Sequence, residues 1–244
     1  MCGIVGYIGT REAAPIILEG LRRLEYRGYD SSGIAVMDGS SIQVRREVGK
    51  LSGLAALLQA EPVTGCIGVG HTRWATHGAP SRRNAHPHFG STGEVVVVHN
   101  GIVENFLEIK REFEAEGVRF NSDTDTEVIV HLVERYLALG HSLEEAARRA
   151  FRHLKGAHAI VVMSTHERDK LVCTRIGNAG GVTLGIGQGE MFIASDMPAI
   201  LEHTRRMVFL ESRQMAVVTR DGYTVTTLEG KAVKPEIHTI PFDA

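Results

Sequence analysis

The chain has 244 residues, with 27 basic against 29 acidic side chains and a formal charge of -2. Its length suits one large domain, and a hydrophobic fraction of 43% beside 23% charged residues is enough to bury a core, which excludes intrinsic disorder. Near-neutral charge argues against a nucleic-acid surface, and no apolar run reaches the roughly 18 to 20 residues that span a bilayer. The start, Met1-Cys2-Gly3-Ile4-Val5-Gly6, lacks the basic region of a secretory signal. Three cysteines, Cys2, Cys66 and Cys173, are too few and too odd in number for a disulfide framework, so a reducing cytoplasm is the expected location.

In chain order, residues 2–9 read as a buried strand. Thr10 is placed to N-cap a helix running to Leu24, with Ile16, Ile17, Leu21 and Leu24 on one face. Strands at 33–37 and 42–48 flank an Asp38-Gly39-Ser40-Ser41 turn, and a helix at 51–60 and a strand at 66–71 follow. From 72 to 93 periodicity disappears while Gly, Pro, His, Asn and Ser accumulate, and a loop of that length inside a domain is usually functional. Residues 94–99, with four consecutive valines, form the strongest strand, and it ends on Asn100-Gly101. Helical periods cover 104–116, 126–139 with Ser122 as its N-cap, and 143–154. Strands then succeed one another at 157–163, 170–174, 181–186, 191–194, 207–210, 215–219 and 223–227, interrupted by a short helix at 198–203. Blocks of strands and blocks of helices, with no linker or repeat between them, predict one α+β layered domain over 1–244 with mostly antiparallel sheets.

The position of Cys2 carries chemical meaning. Removal of Met1 would leave a thiol and a free α-amine on one residue. An α-amine with a pKa near 7.7 to 8.0 can accept a proton at neutral pH, so an N-terminal cysteine brings its own general base. Cys66 and Cys173 lie in strand-like runs and read as structural.

Five further motifs follow in order: Tyr26-Arg27-Gly28-Tyr29-Asp30-Ser31-Ser32-Gly33, Gly70-His71-Thr72-Arg73-Trp74-Ala75-Thr76-His77-Gly78, Asn84-Ala85-His86-Pro87-His88, His99-Asn100-Gly101-Ile102-Val103-Glu104-Asn105 and Ser122-Asp123-Thr124-Asp125-Thr126-Glu127. With the Cys2-Gly3-Ile4 start, they resemble the class II glutamine amidotransferases, which are N-terminal-nucleophile hydrolases. The Tyr-Arg-Gly-Tyr-Asp-Ser and Trp-Ala-Thr-His-Gly wording is similar to the glutaminase domain of the glucosamine-6-phosphate synthases. Phosphoribosylpyrophosphate amidotransferases and asparagine synthetases carry other versions of the second motif. The resemblance covers essentially the whole chain and implies a four-layer α/β/β/α sandwich.

It also implies roles. Cys2 would attack the side-chain amide of L-glutamine, and Asn100 and Gly101 would supply the oxyanion donors. Arg73, whose forked guanidinium suits a carboxylate, would bind the substrate with Thr76, His77 and the lid residue Trp74. Asp125 would meet the α-ammonium. Arg27, Gly28, Asp30 and His86 would support these groups without touching substrate. Taken singly, Arg73 or Asp125 would be an ordinary surface charge and Asn100-Gly101 an ordinary hairpin turn. Their co-occurrence in order supports the functional reading.

The family's implied partner is a C-terminal sugar-isomerase domain that binds fructose 6-phosphate, within a parent homodimer. That domain is expected to lie outside this chain, which stops at Pro241-Phe242-Asp243-Ala244, about where the family's linker begins. A stand-alone amidotransferase serving a separate acceptor subunit, or a glutamine-sensing module without turnover, are the alternatives. No metal is expected, because the histidines near His86-Pro87-His88 come without an H-E-x-x-H or paired C-x-x-C motif. No cofactor is expected either: Gly185-x-Gly187-x-Gly189 has Glu190 where a dinucleotide site needs glycine. Gly177-Asn178-Ala179-Gly180-Gly181 departs from the Gly-Ser-Pro-Leu of many relatives and is longer by about two residues.

Overall fold

The computed structural model describes residues 2–241. The first half of the chain forms β1 Gly3–Ile8, α1 Ala13–Arg23, β2 Ser31–Asp38, β3 Ser41–Val48, α2 Leu51–Ala60, β4 Ile67–Arg73, β5 His88–Phe89 and β6 Val95–Gly101. Three helices follow, α3 Phe106–Ala115, α4 Glu127–Ala138 and α5 Leu143–His153. The remainder is β7 His158–Ser164, β8 Lys170–Ile176, β9 Thr183–Ile186, β10 Met191–Ala194, β11 Arg206–Phe209, β12 Gln214–Thr219, β13 Gly222–Thr227, β14 Ala232–Val233 and β15 His238–Thr239.

Among the described residues these strands make two antiparallel sheets. One has eight strands in the order β15-β11-β9-β10-β1-β4-β2-β3, and the other seven in the order β14-β13-β12-β8-β7-β6-β5. The period-2 alternation of a strand explains why both sheets are apolar on both faces. In β1, Ile4 and Ile8 point into the space between the sheets while Val5 and Tyr7 point at α1. In β6, Val96 and Val98 face the other sheet while Val95 and Val97 face the helices α3, α4 and α5. A strand buried twice over reads as a continuous hydrophobic run, and that is why the four valines stand together. The layers are therefore helix, sheet, sheet, helix, the α+β sandwich expected. No helix among the described residues is long and apolar enough to cross a membrane.

Local expectations fail where a competing partner exists. Thr10 does not cap α1, which begins after Glu12, whose carboxylate instead accepts the Gly65 N–H at 3.0 Å. Ser122 does not cap α4; its hydroxyl donates to the Glu127 carboxylate, and the residue before the helix is Thr126, whose own hydroxyl is taken by His86 and His99. The expected loop at 72–93 is shorter, because Thr72 and Arg73 finish β4 and His88 and Phe89 pair with β6. The helix expected at 198–203 is a single 3-10 turn at Met197–Ala199, capped by Asp196 at 2.9 Å. The edge strands β14 and β15 were not expected, since two residues are too few to show a period.

Candidate active site

Three strand ends bring the candidate residues together. β1 and β4 pair antiparallel with Gly3 opposite Thr72, so Cys2, just before β1, meets Arg73 and Trp74 at the end of β4. β6 ends in the facing sheet on Asn100 and Gly101, and Asn100 Nδ2 donates across the sandwich to the Cys2 carbonyl at 3.1 Å. Asp125 arrives from the segment before α4, which is folded back by the Glu127 carboxylate accepting the Asn121 and Ser122 N–H groups at 2.6 Å each.

The result is one cavity of about 320 Å³. Its wall contains Cys2, Arg73, Trp74 and Thr76 from the first sheet side, and His86, Asn100, Gly101 and Asp125 from the second. Of the other candidates, His77 lies behind Arg73: its carbonyl accepts a bond from the guanidinium and its ring packs edge-on to Phe106 at 5.3 Å. Arg27, Gly28 and Asp30 also stand outside the wall. Asp30 accepts the Ala75 N–H and donates its own N–H to the Arg73 carbonyl at 3.2 Å, which ties down the backbone on both sides of Trp74. A Cβ at Gly28 would stand 2.8 Å from the Arg73 carbonyl carbon, so only glycine lets the two backbones pass. Arg27 is buried and pairs with Asp196 at 2.8 Å.

The wall also holds residues to which the sequence gave no role: His99, Ile102, Thr124 and Thr126 from within the motifs, together with Asn178 and Ala179. The last two belong to the segment that departs from the family pattern, and nothing in the sequence indicated that this loop reaches the site.

The charges in the cavity are incompletely answered from within. Arg73 Nη2 donates to the His77 carbonyl and to the Gly78 carbonyl at 2.9 Å, but its buried Nη1 has no partner among the described residues. Asp125 accepts the Val103 N–H at 2.7 Å, and burial pushes its pKa above the ordinary value despite that bond. A guanidinium donor without an acceptor and a carboxylate short of a cation describe a site for a zwitterion. Cys2 Sγ accepts the Trp74 N–H at 3.1 Å, and burial raises its thiol pKa against the opposing effect of that bond. The thiol is therefore protonated at neutral pH, and attack through sulfur requires a base.

His86 and His99 of the wall belong to a group of buried histidines that continues behind it. His71, His86, His88, His99 and His158 are all buried, and His71 stacks on His86 at a centroid distance of 4.1 Å. Burial holds His71 and His88 down to about 3 and His158 down to about 4, and pushes His86 and His99 well below the usual 6.5. These rings are neutral in the folded state and take up protons near 6.5 once unfolded. Stability from them is complete above about pH 6.5 and is lost as pH falls from there toward the folded values, by up to about 1.4 kcal/mol per pH unit for each ring. His131, raised against burial by Glu127 and Glu134 at 3.4 Å each, acts in a different window: its contribution is complete below about pH 6.5 and is lost as pH rises above that, so it leaves the acid loss unopposed. The melting temperature, followed by circular dichroism, should drop steeply between pH 6.5 and 4.5, whereas a flat profile over that range would contradict the neutral cluster. Among the described residues no group of three or more His, Cys, Asp or Glu side chains is arranged to hold a metal ion.

Comparison with known proteins bears on this geometry. The family described as "Glutamine amidotransferase domain" matches residues 59–239. The chain is 49% identical over 249 residues to a glutamine--fructose-6-phosphate aminotransferase [isomerizing] of Chlorobaculum tepidum, covering 99% of this chain and 40% of that protein. It is 47% identical to the protein of the same name from Thermococcus kodakarensis, covering 98% of this chain and 40% of that one. The chain thus spans about 40% of the length of these curated relatives. Among solved structures, it superposes on the glutamine phosphoribosylpyrophosphate amidotransferase from B. subtilis with a TM-score of 0.81 at 25% identity, covering 95% of this chain and 50% of that one. The allosteric regulatory enzyme of purine biosynthesis gives a TM-score of 0.82 at 26% identity over 93% of this chain and 49% of that one. The match across 59–239, with the same sandwich fold, shows that the chain belongs to the glutamine amidotransferase domain family.

Proposed function

We propose that the chain hydrolyses L-glutamine to glutamate and ammonia through a thioester on Cys2. The observation that carries this reading is the single cavity joining the Cys2 thiol, the unanswered Arg73 Nη1, the Asp125 carboxylate and the Asn100-Gly101 corner. Glutamine's α-carboxylate would take the Arg73 donor and its α-ammonium the Asp125 carboxylate, placing the side-chain amide at Cys2. Trp74, half exposed and edge-on to Tyr29 at 5.9 Å, and Thr76 stand at the mouth.

The chemistry follows from the proton inventory. Once Met1 is removed, the Cys2 α-amine takes the thiol proton as Sγ attacks the amide carbon. The new oxyanion is met by Asn100 Nδ2, which carries two N–H donors and uses one on the Cys2 carbonyl, and by the Gly101 N–H. The proton passes to the amide nitrogen, the C–N bond breaks and ammonia leaves. Water, deprotonated by the same amine, then cleaves the thioester to release glutamate and restore the thiol. Met1 itself lies outside the described residues.

We further infer that the chain is one glutaminase domain whose ammonia serves a C-terminal sugar-isomerase domain, converting fructose 6-phosphate to glucosamine 6-phosphate in a homodimeric parent. Support comes from the printed name shared by the curated relatives and from their greater length. Incubation with glutamine should release ammonia and glutamate in equal amounts over many turnovers. Stoichiometric binding without turnover would overturn the hydrolytic reading in favour of a sensing module. An isomerase-free partner subunit that takes the ammonia would identify a stand-alone amidotransferase instead.

The ammonium assignment has its own test. Asp125→Asn keeps the shape and removes the charge, and should raise KM for glutamine by about 10- to 100-fold, the ~1.5 to 3 kcal/mol of a hydrogen bond to a charged group. Steady-state kinetics that leave KM unchanged would remove Asp125 from the substrate site.

A further inference from the structure

We propose that His71 is a positioning residue for the oxyanion donor, its ring held in the Nε2–H form so that the Asn100 amide presents nitrogen, never oxygen, to the nucleophile. This rests on the glutaminase reading given above.

His71 is fully buried on β4, with Nε2 3.1 Å from the His99 carbonyl oxygen and 3.0 Å from Asn100 Oδ1. A main-chain carbonyl can only accept, so Nε2 must carry the hydrogen. That hydrogen is shared between two oxygens, and the Asn100 amide is oriented by it. The opposite end of the same amide donates to the Cys2 carbonyl, another group that can only accept. Rotating the amide by half a turn would put N–H against N–H at His71 and oxygen against oxygen at Cys2. Two hydrogen bonds would become two repulsions, and the oxyanion would face a carbonyl oxygen. His71 Nδ1 has no partner among the described residues, so no acceptor there competes with Nε2 for the hydrogen.

The surrounding histidines hold His71 and its acceptor in place by the same logic. The Lys155 carbonyl, 3.1 Å from His158 Nε2, makes that nitrogen a donor and leaves His158 Nδ1 to accept from His99 Nε2 at 3.1 Å. His99 Nδ1 then accepts the Thr126 hydroxyl at 2.9 Å, and Thr126 Oγ1 accepts from His86 Nε2 at 3.0 Å. His86 stacks on the His71 ring. One obligate acceptor at residue 155 thus sets the direction of every hydrogen bond from there to the cavity wall, and fixes the strand end whose carbonyl His71 reads. Burial keeps these rings neutral, as the directions demand.

Two variants and one spectrum test the assignment. In His71→Leu the donor is gone; in His71→Gln an amide N–H stands about where Nε2 stood. The loss of one oxyanion donor's orientation should lower kcat of His71→Leu by about 10² to 10³ with KM within about threefold of wild type. Alkylation of Cys2 by iodoacetamide, a displacement that forms no oxyanion, should keep its rate, and His71→Gln should recover most of kcat. Nitrogen-15 correlation spectra of the wild-type protein should show His71 as the Nε2–H tautomer, a result that needs no variant to fold. An Nδ1–H tautomer, an unchanged kcat in His71→Leu, parallel losses of kcat and alkylation, or a His71→Gln no better than His71→Leu would each overturn the proposal. A wild-type protein that alkylates at Cys2 yet never turns over glutamine would overturn the glutaminase reading itself, an outcome distinct from a tolerant His71 in an active enzyme.

Discussion

Cys2→Ala is expected to abolish glutamine hydrolysis, with kcat falling on the order of 10⁴ to 10⁶, the range over which loss of a nucleophile leaves only binding and oxyanion effects. No other thiol can substitute. Cys66 is exposed, and Cys173 is buried between the sheets with its pKa pushed up to about 12; neither lines the cavity. The fold should survive, because the Cys2 thiol's hydrogen bonds among the described residues go only to the Trp74 backbone and the side chain is small. Coupled ammonia assays with circular dichroism as a control would decide it: a folded mutant within tenfold of wild-type turnover contradicts the nucleophile assignment.

Gly101→Ala is expected to be the second most damaging single change. Gly101 sits at φ +124, a conformation that side chains rarely adopt, and a Cβ there would be driven into the Ala157 carbonyl oxygen and within 3.1 Å of His99 Nε2. Relief of that clash means moving the last residue of β6 away from its partner His158, and with it the Gly101 N–H and the Asn100 amide. Misplacing an oxyanion donor costs about 10² to 10³ in kcat, and strained backbone about 1 to 3 kcal/mol of stability. Thermal melts and kinetics on Gly101→Ala should therefore both shift. A variant with wild-type melting temperature and kcat would show that neither the conformation nor the N–H at 101 matters.

What was legible in the sequence is tied to local pattern. The valine run declared β6 a strand, the 51–60 period matched α2 at both ends, and the ordered motifs contain twelve of the residues that now share one wall. Less legible was anything settled by competition between distant groups. Thr126 could not cap α4 because two histidines from other elements claim its hydroxyl, and nothing near Thr126 announces that. His71 read as one more histidine in a motif, since its partners at 99 and 100 approach only when the two sheets are stacked. Asn178 and Ala179 stood out as a departure, yet their place in the wall depends on how the β8 to β9 connection folds over the cavity mouth.

The central claim is that residue 2 acts as an N-terminal nucleophile in a glutamine-shaped site, and intact-protein mass spectrometry after treatment with a glutamine-analogue electrophile tests it most directly. The expected result is a protein without Met1 that gains one adduct, mapped to Cys2 and suppressed by excess glutamine. An unmodified protein, an adduct on Cys66, or labelling that glutamine does not protect would contradict it.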